Sequence, residues 1–260
     1  MFSVRRLIKR GTMKKLLVLA LLAFAPVVSA NDIDTTCKHH VVYGAPIKAE
    51  GNNQYLCRTA YAINYNYSTK VAFYAVEHIT TQNLTKNAAR KDDFREDPEV
   101  PVQHRATLSD YTRMGFDRGH VAPAADMTFD AKAMSESFYL TNMMPQVPGN
   151  NRGIWKYLEE NVRYWVQVKG EVYVITGTLF EGQPKMMNKV AIPSHVYKIV
   201  IDKKSGKQIA YLFPNEKLDP KLIDNYAVSV ASIEQKTGIN FSPLLSNNTA
   251  EKAVLKLKDF

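Results

Sequence analysis

Residues 150–167 read NNRGIWKYLEENVRYWVQ, and their spacing predicts the clearest helix of the chain. Ile154, Leu158, Val162 and Trp165 recur at intervals of four, four and three, the period of one buried helical face. Asn151, Trp155, Glu159 and Arg163 recur every four residues on a second stripe. On a uniform helix Asn151 and Glu159 would lie about 80° apart in rotation and about 12 Å apart along the axis. The plain reading of that stripe is a solvated face carrying a Glu159–Arg163 pair one turn apart.

Strand patterns flank this helix. KVAFYAVEHIT (70–80) and EVYVITGTLF (171–180) are rich in β-branched and aromatic residues. HVYKIVIDKKSGKQIAYLFPN (195–215) reads as a hairpin around Lys-Ser-Gly, and 222–238 as a strand-like start running into a helix that stops at Gly238. The charged, Pro-punctuated NAARKDDFREDPEVP (87–101) is loop. Strands before and after, with helices between them, make the class α+β or mixed α/β.

The 260 residues allow one substantial core, and 45% hydrophobic with 23% charged residues excludes collagenous and disordered classes. MKKLLVLALLAFAPVVSA (13–30) has the basic, apolar and small-residue parts of a secretory signal peptide, with cleavage expected after Ala30. Met13 is an alternative start, and Arg5-Arg6 matches a twin-arginine signal poorly. The apolar run is too short to span a bilayer, so no membrane span is expected in residues 31–260, which read as a single domain. Six of the 34 Lys and Arg residues fall in 1–30 and none of the 25 acidic ones, so the headline +9 drops to +3 without the leader. An anion site must then be a local patch. In an exported chain the two cysteines, Cys37 and Cys57, suggest a disulfide. The alternative, a metal site with His39 and His40, fits no common zinc spacing.

GFDRGHVAPAADM (115–127) places Asp117, Arg118 and His120 within four positions. Hydrolysis of a phosphodiester needs those residue types: a base near neutral pH, which His120 supplies, and a planar cation for phosphate, which Arg118 supplies. A hard divalent cation often keeps several waters and takes only one or two protein oxygens: the amide oxygen of Asn151 would hold it and Glu159 would hold metal-bound water. Read singly, each residue has a bland role: a structural histidine, an Asp117 fixing its own turn, a Gly119 kept for backbone freedom, a surface Asp126, a packing Trp155, a core-filling Met143-Met144.

DRGHVAPAADM followed by FYLTNMMPQVPGNNRGIWKYLEENVRYW resembles the DNA/RNA non-specific endonucleases of ββα-metal (His-Me finger) type, the group that includes mitochondrial endonuclease G. ARKDDFREDPEVP looks like their Arg-bearing upstream loop. The likeness runs from about residue 58 to 245. It implies a central, mostly antiparallel sheet with helices on both sides, and a hydrolase of DNA and RNA giving 5′-phosphate and 3′-hydroxyl ends. It implies His120 as general base, Asn151 as the direct ligand of Mg²⁺ (Mn²⁺ or another divalent cation as alternatives), and Glu159 as holder of metal-bound water. Arg118 and Arg163 are implied as phosphate contacts, and Arg90 as the upstream arginine, with Arg95 as the alternative. Asn142 is expected to orient the His120 ring. Lys91, Arg95, Arg105, Arg113 and Arg152 are contributors to a positive groove for DNA or RNA. Export, to the periplasm or beyond, would keep such an activity from the host genome. The competing readings are a non-catalytic nucleic-acid binder and a phosphodiesterase for small diesters.

Overall fold

The structure, a computed structural model, describes residues 37–41, 44–48, 52–112, 115–241 and 254–260. The expected leader and Arg113 lie outside them. In chain order the strands are β1 (Ile47–Lys48), β2 (Asn53–Cys57), β3 (Ala62–Asn66), β4 (Val71–Thr80), β5 (Asp117–His120), β6 (Met143–Gln146), β7 (Glu171–Leu179), β8 (Lys185–Met187), β9 (Val190–Ile192), β10 (His195–Asp202), β11 (Lys207–Pro214), β12 (Ala227–Val228) and β13 (Ile239–Asn240). The α-helices are α1 (Ala131–Glu136), α2 (Lys156–Lys169) and α3 (Val230–Thr237).

Seven strands form one sheet in the order β12-β11-β10-β7-β4-β3-β2, every neighbour antiparallel. β7 sits inside it, between β4 and β10, and is buried from Val172 to Leu179. A strand covered on both faces is largely apolar, which is why 172–175 reads as an unbroken Val, Tyr and Ile run. Alternation divides β4 and β7 between two cores. Ala75, Ile79, Val172 and Val174 face α2, whose stripe of Leu158, Val162 and Trp165 fills that side with Ile154. Val76, Tyr173 and Ile175 face the other way, against α3 through Val230 and Ile233 and against Cys37. Helices therefore cover both sides of the sheet, as expected. Cys37 and Cys57 form the disulfide, on the α3 side. Among the described residues no helix is long and apolar enough to cross a membrane.

The helix expected over 150–167 is not uniform. Residues Asn150–Trp155 form a wide turn, with Gly153 at φ −107°, ψ −110°, and regular α-helix begins at Lys156. Asn151 and Glu159 are thus not related by eight steps of one helix. Asn150 shows the reason: its buried side chain accepts from Gln146 Nε2 at 2.7 Å and donates to Pro214 O at 3.0 Å. Those bonds hold the first turn to β6 and β11 in place of regular helical geometry. Such wide turns recur at functional sites. The C-terminal stop at Gly238 holds, with φ +63°, the left-handed cap that glycine takes without strain.

Candidate active site

Strands β5 and β6 pair antiparallel, matching His120 to Met143 and Gly119 to Met144. His120 ends strand β5, and its ring stands edge-on to Phe138 at 5.0 Å between centroids. Asn142 makes no hydrogen bond to that ring among the described residues. Its Nδ2 donates to Ala122 O (2.8 Å) and Ser137 O (2.9 Å), and its Oδ1 accepts from Ala122 N (2.9 Å). It therefore fixes the backbone just after His120, and so the ring indirectly. Gly119 is not in the left-handed region. It is small because Gln146 crosses it: an added Cβ would lie 2.1 Å from Gln146 Oε1.

Asp117 does not fix its own turn either. It accepts from Asn151 Nδ2 at 2.9 Å and from Arg152 at 2.8 and 2.6 Å, tying β5 to the turn before α2. Burial pushes its carboxyl up, but the Arg152 and Asn151 hydrogen bonds outweigh that and hold it below its ordinary value. A carboxylate can only accept, so the Asn151 amide must present its nitrogen to Asp117. Its carbonyl oxygen is left for other partners.

One cavity of about 400 Å³ gathers the predicted side chains: Arg90, Arg118, His120, Asn151, Glu159 and Arg163 all line it. Arg152 and Lys156 line it too, so five Arg and Lys cations face a single carboxylate. Four of the five are ion-paired, with Asp92, Asp117, Asp126 and Glu160, and Arg118, with no carboxylate partner among the described residues, is the cation freest to meet an anion. Arg118 lies over the Phe94 ring at 4.0 Å, and Arg90 pairs with Asp92 at 2.8 Å. Arg90 lines the cavity, whereas Arg95 turns away to Asp93 and Ser135, and Arg105 bonds to the carbonyls of Pro98 and Val100.

Burial, then the charge of Arg90, lowers the His120 pKa to about 3, with Asp92 opposing. The ring is neutral at pH 7, and its Nε2 is buried without a partner among the described residues. Nδ1 is the nitrogen left to the cavity. Burial lifts Glu159 to about 7, helped by Asp126 and opposed by Lys198 and Arg163.

Two residues beneath the cavity were not legible in the sequence. Asp126, expected on the surface, is buried and accepts from Arg163 at 3.0 Å. The solvated Glu159–Arg163 pair is therefore replaced by an Arg163–Asp126 pair. Lys198 of β10 is 1% exposed, bonded to Thr176 Oγ1 and 4.8 Å over the Trp155 ring. Trp155 is packing, as expected: it is buried against Phe213. Lys198 was hidden because only the β7–β10 register brings it opposite Thr176 and under α2.

Residues 41–248 match the family model for DNA/RNA non-specific endonuclease. The chain belongs to the DNA/RNA non-specific endonuclease family. This endonuclease is 37% identical to nuclease C1 of Cunninghamella echinulata var. echinulata over 214 residues, 75% of this chain and 85% of that one. It is 36% identical to mitochondrial endonuclease G of Homo sapiens over 230 residues, 82% and 76% of the two chains. The endonuclease also superimposes on EndoG from the crystal structure of the EndoG/EndoGI complex, with a TM-score of 0.73 at 29% identity, covering 81% of this chain and 92% of the other. It is a nuclease with a central antiparallel sheet, and the non-catalytic reading falls away.

Proposed function

We propose that this endonuclease hydrolyses phosphodiester linkages of DNA and RNA in the His120–Asn151 cavity, with Mg²⁺ as its cofactor, leaving 5′-phosphate and 3′-hydroxyl ends. The observation that carries this reading is the convergence of a neutral imidazole, a free carboxamide oxygen and five cations on one cavity.

The donor set suits a hard, hydrated cation. Asn151 Oδ1 accepts no hydrogen bond among the described residues, and its amide nitrogen is held by Asp117, which turns that oxygen away from the carboxylate. Glu159 is a carboxylate whose charge burial disfavours and a nearby cation would relieve. Among the described residues no three His, Cys, Asp or Glu side chains gather into a metal cage. Mg²⁺, which keeps several waters and takes one or two protein oxygens, matches such a site. Asn151 would hold it directly and Glu159 through water; when bound it would neutralise charge on the phosphate and the departing oxygen.

The chain's own groups do the rest. His120 Nδ1 takes a proton from the attacking water, and the lowered pKa keeps it unprotonated until then. Arg118 and Arg90, on the exposed rim, hold the phosphate oxygens, and Arg163, fixed by Asp126, meets charge as it builds in the transition state. None of these groups reads a base edge, so cleavage is indifferent to sequence.

Export after cleavage near Ala30, leaving one nuclease domain over 31–260, is part of the proposal. It rests on the leader and is supported by the Cys37–Cys57 disulfide, a bond of oxidising compartments. The test is to incubate the 31–260 protein with plasmid DNA and with RNA, in Mg²⁺ or EDTA, beside His120→Ala. Cleavage of both polymers only with metal, lost in the variant, is expected; metal-independent cleavage would overturn the cofactor assignment. End-labelling fixes the product termini, and fractionation with N-terminal sequencing tests export.

A further inference from the structure

Past Arg163 a second cavity, of about 420 Å³, adjoins the first, and the two share Ala125 and Arg163 as a common wall. Its own walls are Leu84, Lys86 and Thr128 on one side and Tyr164 and Gln167 of α2 on the other. Glu160, Arg163, Tyr164 and Gln167 follow one another at three, one and three residues, so a single helical stripe forms this wall. From Glu159 to Gln167 the helix advances about 12 Å, on the order of three nucleotide steps of a duplex strand.

Two side chains here have no polar partner among the described residues. Tyr164 is 57% exposed, on a helix whose other aromatic in this region, Trp165, is buried. Its ring stacks on no other and its hydroxyl has no hydrogen bond among the described residues. Lys86 is exposed and has no ion pair among the described residues. The acidic member of the wall, Glu160, is matched by Lys156 at 3.7 Å. The opposite wall is held in place, because Asn87 N and Ala88 N both donate to Thr128 O at 2.8 Å. A preformed slot with an open ring, an unmatched ammonium and apolar surface from Leu84 suits a nucleotide: base on ring, phosphate on cation.

We infer that this second cavity seats a nucleotide next to the linkage being cut, on the same strand, with its base stacked on Tyr164 and its phosphate met by Lys86. The inference rests on the proposed cleavage in the His120 cavity. It makes polymers better substrates than isolated diesters, since a small diester fills only the first cavity. Stacking carries no base identity, so the seat adds affinity without sequence preference.

The experiment compares a long single-stranded oligonucleotide with bis(4-nitrophenyl) phosphate, using wild type, Tyr164→Ala, Tyr164→Phe and Lys86→Ala. Tyr164→Ala should raise KM for the oligonucleotide on the order of tenfold, as loss of one base–aromatic stack does, while kcat and the diester kinetics stay put. Tyr164→Phe should behave as wild type, because the ring and not the hydroxyl is used. Lys86→Ala should lower the slope of log KM against log salt by about one. Oligonucleotide KM unchanged in both alanine variants overturns the seat. So does an equal loss on both substrates, which would mean that α2 had been disturbed. Failure of the underlying reading looks different: wild type itself would cut neither substrate, or His120→Ala would cut as well as wild type.

Discussion

Asn151 donates through Nδ2 to Asp117 Oδ2 at 2.9 Å, joining the turn before α2 to a strand 34 residues earlier. That bond decides which way the carboxamide faces. Asp117 is itself braced by Arg152, so the arrangement is a chain: guanidinium, carboxylate, carboxamide, cavity. Removing the acceptor frees the amide to rotate and to offer nitrogen where oxygen is wanted. Asp117→Ala should raise the Mg²⁺ concentration for half-maximal rate by about 10- to 100-fold, with most of kcat restored at saturating metal. A Mg²⁺ titration of initial rates checks it. An unaltered titration, with only the polymer KM changed, would show that Asp117 serves substrate and not metal.

The pH dependence should follow Glu159 and not His120. His120 is held to about 3, far below the 6.5 of a free imidazole, so the base is available across the neutral range. Glu159, lifted from 4.5 to about 7, is the group that changes state there. Activity should rise as pH climbs through about 7 at low Mg²⁺, and that midpoint should move to lower pH as Mg²⁺ is raised, because a cation favours the carboxylate. Stability runs the other way. A folded pKa above the unfolded one contributes stability that is complete below 4.5 and lost as pH rises through 7. In EDTA, Glu159→Gln should match wild type near pH 4 and exceed it near pH 8 by about 1 to 2 kcal/mol, allowing for solvent screening in the open cavity. Thermal melts at the two pH values measure this; a gap independent of pH would remove Glu159 as the titrating group.

What the sequence could reveal was set by range. His120, Asn151 and Glu159 announce themselves because local motifs surround them, and all three open on the same cavity. The strands of β4, β7 and the β10–β11 hairpin were legible because residues buried on both faces, or around one short turn, carry a short-range pattern. Pairing across the sheet was not legible. Lys198 looks like one polar residue in an apolar strand until β10 lies beside β7 with Lys198 opposite Thr176. Asp126 looks like a loop acid until Arg163, 37 residues on, reaches it. Gly119 looks like a hinge until Gln146 is laid across it. The break at Gly153 also escaped the helical period, because Ile154 keeps the apolar stripe in step while Asn150 is pulled toward β6 and β11.

Beneath the cavity, three acids (Glu77, Asp126, Glu159) face two cations (Lys198, Arg163). Glu77 is 1% exposed, with neither carboxylate oxygen hydrogen-bonded among the described residues. Burial raises its pKa well above the ordinary value, Asp126 adds to this, and Lys198 opposes it. Both effects favour the protonated form of Glu77. Glu77→Gln mimics that protonated form and should change stability by less than about 1 kcal/mol. Lys198→Met strips one cation from Asp126 and Glu159, and should cost about 3 to 5 kcal/mol. Urea unfolding at pH 7 gives both values. Equal losses in the two variants would mean that Glu77 is ionised.

The crossing of Gly119 by Gln146 ties strand pairing to the metal side of the cavity. Gln146 is fully buried and donates to Asn150 Oδ1 at 2.7 Å, and Asn150 anchors the wide turn that carries Asn151. In Gly119→Ala the new Cβ would fall 2.1 Å from Gln146 Oε1 and 2.8 Å from its Cβ, so Gln146 must leave its place. The variant should lose about 1 to 3 kcal/mol of stability. It should also need more Mg²⁺, since the Gln146–Asn150 bond goes with the displaced side chain. Gln146→Ala alone removes that bond and leaves Gly119 intact. If the clash is the cause, the double variant should be less destabilised than the two single losses combined, by about 0.5 kcal/mol or more, as expected for side chains in contact. Additive losses in urea unfolding would show that the methyl added at position 119 is opposed by the β5 backbone or by the Cβ of residue 146, and not by the Gln146 carboxamide.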